Sequence, residues 1–189
     1  MGALARLRVP LGFVFGVLAF WLASPSGLTL AVGGAIAVVG EMLRVWAAGH
    51  LNKSREVTVS GPYRWMAHPL YVGSSIMGLG LAVASGSIVV ALIVAAYLGG
   101  TITAAIRSEE RFLRGRFGDD YDRYRRGDRR RAQENGGESR AFSMRRLIDN
   151  REYRAVGGLV VAALLLVLKA TYNGLFWRAA GAQIVRPGG

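Results

Sequence analysis

Three small polar groups stand out in an otherwise apolar chain, and each holds residue types able to bind charge or move protons. His68, one of only two histidines, stands directly before Pro69, whose ring favours extended backbone at the residue preceding it. An imidazole is thereby presented beside the amino terminus of the helix that Pro69 begins, a natural seat for an anionic group. Glu109 and Glu110 are adjacent carboxylates, able to hold a cation or to accept hydrogen bonds from hydroxyls or an amine. On composition alone, a solvated helix face paired with Arg107, Arg111 and Arg114 accounts for them more simply. Glu41 and Arg44 are three residues apart and share a helix face inside an apolar run. Charge in such a place is costly and turns toward a bundle interior or a water-filled cavity. The pair either fixes packing as a self-satisfied ion pair or lines a site.

The elements that must position these groups follow from how charge and apolarity are distributed. The chain has 189 residues, is 52% hydrophobic and carries a net charge of +12, with the two kinds of residue segregated into blocks. Apolar runs lie at Val9 to Ala23, Leu28 to Ala48, Leu70 to Ala84, Ile88 to Ile106 and Ala155 to Tyr172. A vertical span needs roughly 20 residues, so the first and third are short and draw on Leu4 to Arg8 and Arg64 to Leu70 for the remainder. The expected fold class is all-α, a polytopic membrane protein with five transmembrane helices. The first run is read as a retained helix and not a cleaved signal peptide, because further spans follow it.

Loops between the runs alternate between charged and uncharged. Met1 to Pro10, His50 to Pro69 and Arg107 to Arg154 carry the basic residues, whereas Ser24 to Gly27 and Ser85 to Ser87 carry none. The positive-inside rule then puts the amino terminus, the Ser60 loop and the arginine-rich segment in the cytoplasm, so any site they build together lies on that face. The short connector at Ser85-Gly86-Ser87 makes runs three and four a tight hairpin, so Leu70 and Ile106 come side by side at its cytoplasmic end. The chain divides into 1–124, a membrane core; 125–152, a flexible basic linker with an interfacial helix over Phe142 to Arg154; and 153–189, the fifth helix and an external tail. Ten of the twelve acidic residues are interleaved with the arginines between Arg107 and Arg154, which argues against a nucleic-acid partner. The chain has no cysteine, so disulfides, thiolate nucleophiles and thiolate-ligated metals are excluded, and two histidines make no histidine-rich metal site.

The order of the polar motifs along the chain adds to what each says alone. Gly61-Pro62-Tyr63-Arg64, then His68-Pro69-Leu70-Tyr71-Val72-Gly73, a glycine-containing helix, a second helix, Glu109-Glu110, and Phe117-Gly118 with Tyr121 and Tyr124 resembles the membrane methyltransferase superfamily of isoprenylcysteine carboxyl methyltransferases and phospholipid N-methyltransferases. The resemblance covers roughly residues 40 to 124. It implies an S-adenosylmethionine enzyme whose cofactor binds on the cytosolic side, with His68, Leu70, Tyr71, Gly73, Gly78, Gly80, Glu109 and Glu110 in cofactor-binding positions. Small residues at helix contacts explain the glycines equally well. The chain departs from the superfamily's usual Arg-His-Pro by placing Ala67 before His68, leaving the missing cation to Arg64 or to nothing.

The expected reaction is methyl transfer to a lipidic or small hydrophobic acceptor, for which the protein mainly aligns the partners and excludes water. His68 and Arg64 would bind the cofactor's carboxylate, and an amine or thiol acceptor would find a base in His68, Glu110 or Tyr121, in that order. Glu41 and Arg44 would meet the polar end of an acceptor entering between helices, with membrane lipids as the other partner. The competing readings are a nicotinamide-dependent (NADPH) reductase of sterol-like lipids and a non-enzymatic anchor whose basic segment docks on acidic lipid. The chain is read as a multi-pass integral membrane protein, of the plasma or inner membrane in a prokaryote.

Overall fold

The computed structural model describes residues 3–52, 58–126 and 141–173. Among these, all regular structure is helical: α1 (Ala3–Leu22), α2 (Gly27–His50), a 3-10 turn (Gly61–Arg64), α3 (Pro69–Ala84), α4 (Ile88–Phe117), α5 (Asp119–Arg125), α6 (Met144–Asp149) and α7 (Tyr153–Tyr172). The all-α expectation is met. Helices α2, α4 and α7 are long and apolar enough to cross a membrane, while α3, at 16 residues, is a shorter apolar helix. Many of their large apolar side chains, including Leu28, Ile88, Leu92, Leu164 and Leu168, are exposed. Water would penalise that surface, whereas hydrocarbon accepts it.

Local chemistry sets the helix ends. Ser26 caps α2 reciprocally with Thr29, whose backbone N–H donates to Ser26 Oγ at 3.3 Å while the Ser26 N–H donates to Thr29 Oγ1 at 2.9 Å. Pro69 opens α3 at a position where the missing N–H costs nothing. Helix α4 runs well past the end of its apolar stretch at Ile106, and Arg114 and Arg116 in its last turn complement the carboxyl end of the dipole.

The chain divides into two compact units. The first comprises Met1–Val38, Met77–Tyr97 and Gly158–Gly189. Its small core is Ala23, Ala84 and Leu166, with Leu30 and Leu81 packed against them. Helices α2 and α3 touch backbone to backbone there, since a Cβ built on Gly80 would lie 2.3 Å from Ala37 N and 2.6 Å from Gly33 O. The Ser24 N–H donates to Ser85 O at 2.7 Å, which closes the short turn before α4. Lys169 of α7 donates to the carbonyls of Phe20 and Trp21 at 2.5 and 2.8 Å, satisfying the orphan end of α1.

The second unit comprises Val39–Ile76 and Leu98–Gly157 and holds the polar residues singled out above, apart from Gly78 and Gly80. Most of the basic linker, residues 127–140, and the tail from residue 174 lie outside the described residues. Within Phe142 to Arg154, where an interfacial helix is expected, the structure has the six-residue α6, and α7 starts at Tyr153.

Candidate active site

The loop that carries His68 is held from below by the other histidine. His50 is buried at the end of α2, and its Nδ1 lies 2.9 Å from the Trp46 carbonyl, so that nitrogen is the donor. Gly61 has φ +56° and sits against the His50 ring, where a Cβ would come within 2.6 Å of Cγ. Only glycine meets both demands. Phe142 and Trp46 pack edge-on against His50, and Trp65 packs against Trp46. His50 is therefore a supporting residue that positions the loop.

From this platform the chain enters α3 through His68, whose carbonyl accepts the N–H groups of Tyr71 and Val72, both at 3.1 Å. The imidazole faces the end of α4: Nδ1 is 3.8 Å from Glu109 Oε2 and Nε2 is 3.5 Å from Glu110 Oε1. The Tyr71 ring lies 5.8 Å from the imidazole, centroid to centroid. Glu110 is well shielded and Glu109 is half exposed, so the two carboxylates are not equivalent. Arg125 of α5 also reaches Glu110 Oε1. Beneath them Tyr121 is buried with Val59, against Ala67, Leu113 and Phe117. Burial pushes its hydroxyl above the ordinary value of 10.0, and the nearby charge of Glu110 pushes it further. At neutral pH Tyr121 is a neutral phenol.

A second charged group surrounds Arg44. Its Nε is 3.3 Å from Glu41 Oε2, its Nη2 is 2.7 Å from Glu152 Oε1, and its Nη1 donates to Ser74 Oγ. Gly73 makes room for it, because a Cβ there would meet Arg44 Cγ at 2.6 Å and Gly40 O at 2.7 Å. The segment bearing Glu152 is pinned to the end of α2 by Asn150, whose Nδ2 donates to Ala48 O at 2.9 Å and Leu51 O at 3.0 Å.

The structure thus brings His68, Tyr71, Glu109 and Glu110 together, with Tyr121 below and Leu70 at the first turn of α3. Gly73 and Gly80 are used for close contact with α2, and Gly78 is buried. Arg64 is exposed on the 3-10 turn. Sequence reasoning missed Arg125, the cation that reaches Glu110, and Glu152, the second carboxylate on Arg44. Ala67, where the superfamily places arginine, is half-buried in the Tyr121 cluster, so an arginine side chain there would meet an apolar wall.

Helices fit to cross a membrane, exposed apolar side chains and a polar cluster at helix ends define a membrane protein with a polar candidate site. The chain belongs to the phospholipid methyltransferase family, whose sequence model matches residues 11–120, and the resemblance carried by the motifs is borne out. It is 36% identical over 121 residues to the cobalt-zinc-cadmium resistance protein CzcN of Cupriavidus metallidurans, covering 58% of this chain and 54% of that protein. It is 35% identical over 107 residues to the nickel-cobalt-cadmium resistance protein NccN of Alcaligenes xylosoxydans xylosoxydans, covering 54% and 49%. It is 32% identical over 91 residues to the protein-S-isoprenylcysteine O-methyltransferase of Schizosaccharomyces pombe, covering 48% and 39%. The chain spans about half the length of the first two relatives and less of the third. No solved structure matches it.

Proposed function

We propose that this protein is an S-adenosylmethionine-dependent methyltransferase acting on a lipidic or small hydrophobic acceptor at the membrane. The observation that supports this best is the meeting of His68 with Glu109 and Glu110, 3.8 and 3.5 Å away, in a chain of this family. The donor set fits the cofactor's chemistry, since two carboxylates suit ribose hydroxyls and positive charge, and a histidine at a helix amino terminus suits a carboxylate. When bound, S-adenosylmethionine supplies a methyl group on a sulfonium, ready for in-line transfer.

Glu109 and Glu110 hold the cationic and hydroxyl-bearing parts, His68 and Arg64 take the carboxylate, and Leu70 and Tyr71 line the approach, while the glycines expected there, Gly73 and Gly80, are taken up by contact with α2. For an amine or thiol acceptor His68 is the first base, ahead of Glu110. Tyr121, neutral at physiological pH, acts as a hydrogen-bond donor. Glu41 and Arg44 face the acceptor's polar end. Helices α1, α2, α3, α4 and α7 all cross the membrane in this reading, with the amino terminus and the site cytoplasmic. Residues 1–124 form the catalytic core, 125–152 the basic linker, and 153–189 the last span and its tail.

Calorimetry of the detergent-solubilised protein with S-adenosylhomocysteine tests the proposal. Saturable binding that Glu110→Ala weakens by roughly tenfold or more is expected. No binding by the unaltered protein, or thermal stabilisation by NADPH greater than by S-adenosylhomocysteine, would overturn it.

A further inference from the structure

We propose that the stretch from Phe142 to Glu152 is a positioning strap: it closes the end of α2 and, through Phe142 on His50 and His50 on Gly61, sets the loop that delivers His68. The strap lies beyond residues 11–120 matched by the family model. That the loop serves a methyl donor rests on the function proposed above; that the strap holds the loop does not.

The first argument is where α2 finds partners for its last carbonyls. A helix end leaves four of them without an intrahelical donor, and a left-handed glycine just past the end is the common local solution. Helix α2 does not use it: Gly49 lies inside the last turn, and neither it nor the residues through Asn52 have a positive φ. The strap supplies the donors instead. Asn150 Nδ2 donates to Ala48 O at 2.9 Å and to Leu51 O at 3.0 Å, and the Ser143 N–H donates to Gly49 O at 3.0 Å.

The second argument is the pair of glycines beside His50. A Cβ on Gly49 would fall 2.2 Å from Phe142 Cε2, and one on Gly61 would fall 2.6 Å from His50 Cγ. Both positions must lack a side chain for Phe142 to reach the imidazole and for the imidazole to reach the turn before His68. The two rings meet edge-on, 6.0 Å between centroids.

The third argument is the shape of the strap. Helix α6 ends in a paired reversal, with the Glu152 N–H donating to Leu147 O at 3.2 Å and the Arg151 N–H to Ile148 O at 2.9 Å. Glycine usually takes the left-handed position of that motif, yet here it is Arg151, at φ +58°. Such a backbone is unfavourable for a residue with a Cβ and persists where contacts on both sides over-determine it. Asn150 is bound to the end of α2 on one side, and on the other Glu152 is buried with its Oε1 2.7 Å from Arg44 Nη2. The strap thus bears on the His68 loop at one end and on Arg44 at the other.

The test is hydrogen exchange, read by mass spectrometry, on the full detergent-solubilised chain. In Phe142→Ala, peptides covering residues 60–68 are expected to exchange faster by about tenfold, whereas those covering residues 88–106 keep the unaltered protein's rate. Phe142 is 43% exposed, so its loss should loosen the loop without unfolding the chain. Asn150→Ala should act in the same direction, and Phe142→Tyr, which keeps the ring, should restore the original rate. Unchanged exchange over residues 60–68 in either alanine variant overturns the proposal, as does a Phe142→Tyr that behaves like Phe142→Ala. Exchange that rises equally over residues 88–106, or a variant that does not fold, also overturns it, because the stretch would then belong to the core and not support one loop. Where the unaltered protein binds S-adenosylhomocysteine, Phe142→Ala should weaken that binding by about tenfold and Phe142→Tyr restore it. Affinity that a loosened loop leaves unchanged overturns the positioning role. Localised exchange with no binding by the unaltered protein sinks the methyltransferase reading alone, and binding with uniform exchange sinks the strap alone.

Discussion

Arg125 and His68 converge on the same oxygen, Glu110 Oε1. The imidazole arrives from the loop before α3 and the guanidinium from α5, so three segments distant in sequence meet at one carboxylate. Arg125 stands where a cationic ligand group would compete for Glu110.

Arg125→Ala removes that competitor. Arg125 is close to half exposed, so the pair contributes at most about 1 kcal/mol and the variant should melt within a few degrees of the unaltered protein. S-adenosylhomocysteine affinity should rise by about fivefold, the equivalent of 1 kcal/mol. Calorimetry decides the matter, and an unchanged or weaker affinity would mean that no cationic group of the ligand meets that oxygen.

Tyr121 gives a prediction about pH. Its hydroxyl is held above 10.0 chiefly by burial, so the folded state keeps the phenol proton to higher pH than the unfolded chain does. Stability from this group is fully present below about pH 10 and is lost as pH rises from there through the folded-state value. Tyr121→Phe keeps the ring against Val59, Ala67, Leu113 and Phe117 and should flatten the alkaline limb of Tm against pH. Tyr121→Ala, which empties the same space, should cost about 3 to 5 kcal/mol at every pH. An alkaline limb identical in Tyr121→Phe would assign the alkaline loss to another group.

The all-helical class was legible because apolar runs are a coarse, repeated signal that survives errors of several residues at each end. Helix α4 shows the limit, since its apolar run stops at Ile106 while the helix continues through Phe117 on charged residues. The meeting of His68 with Glu109 and Glu110 was readable from motif order and the short Ser85 to Ser87 connector. Arg125 and Glu152 were not. Each is one charged residue in a segment crowded with charge, and nothing local distinguishes the one that folds back onto Glu110 or Arg44. Gly73 and Gly80 were ambiguous for another reason, because a glycine that admits a ligand and one that admits a neighbouring helix look the same in a sequence; both lie against α2.

Gly80→Ala tests that helix contact. The new methyl would fall 2.3 Å from Ala37 N and 2.6 Å from Gly33 O, both backbone atoms that cannot rotate away. The helices must part, at a cost of about 1 to 3 kcal/mol or more. Gly99→Ala is the matched control, since nothing lies within 4 Å of its added Cβ and alanine is the better helix former. Thermal unfolding in detergent should therefore show a lower Tm for Gly80→Ala and an unchanged or higher one for Gly99→Ala. Equal behaviour of the two would show that α2 and α3 have slack at this crossing.

The proposed topology is open to a clean chemical test because the chain contains no cysteine, so any introduced thiol is the only one present. Ser87 begins the turn into α4 in an uncharged connector, and Arg126 follows α5 at the far end of the α4 span. If loop charge orients the helices, Ser87→Cys faces outward and Arg126→Cys inward. In intact cells a membrane-impermeant maleimide should label Ser87→Cys at once, and Arg126→Cys only after permeabilisation. Both substitutions replace residues outside the proposed binding groups, so S-adenosylhomocysteine binding serves as the check that each variant is folded. The opposite labelling pattern would invert the protein and put Glu109 and Glu110 outside, away from a cytosolic supply of methyl donor. Labelling of both from the same side would mean that α4 does not cross the membrane.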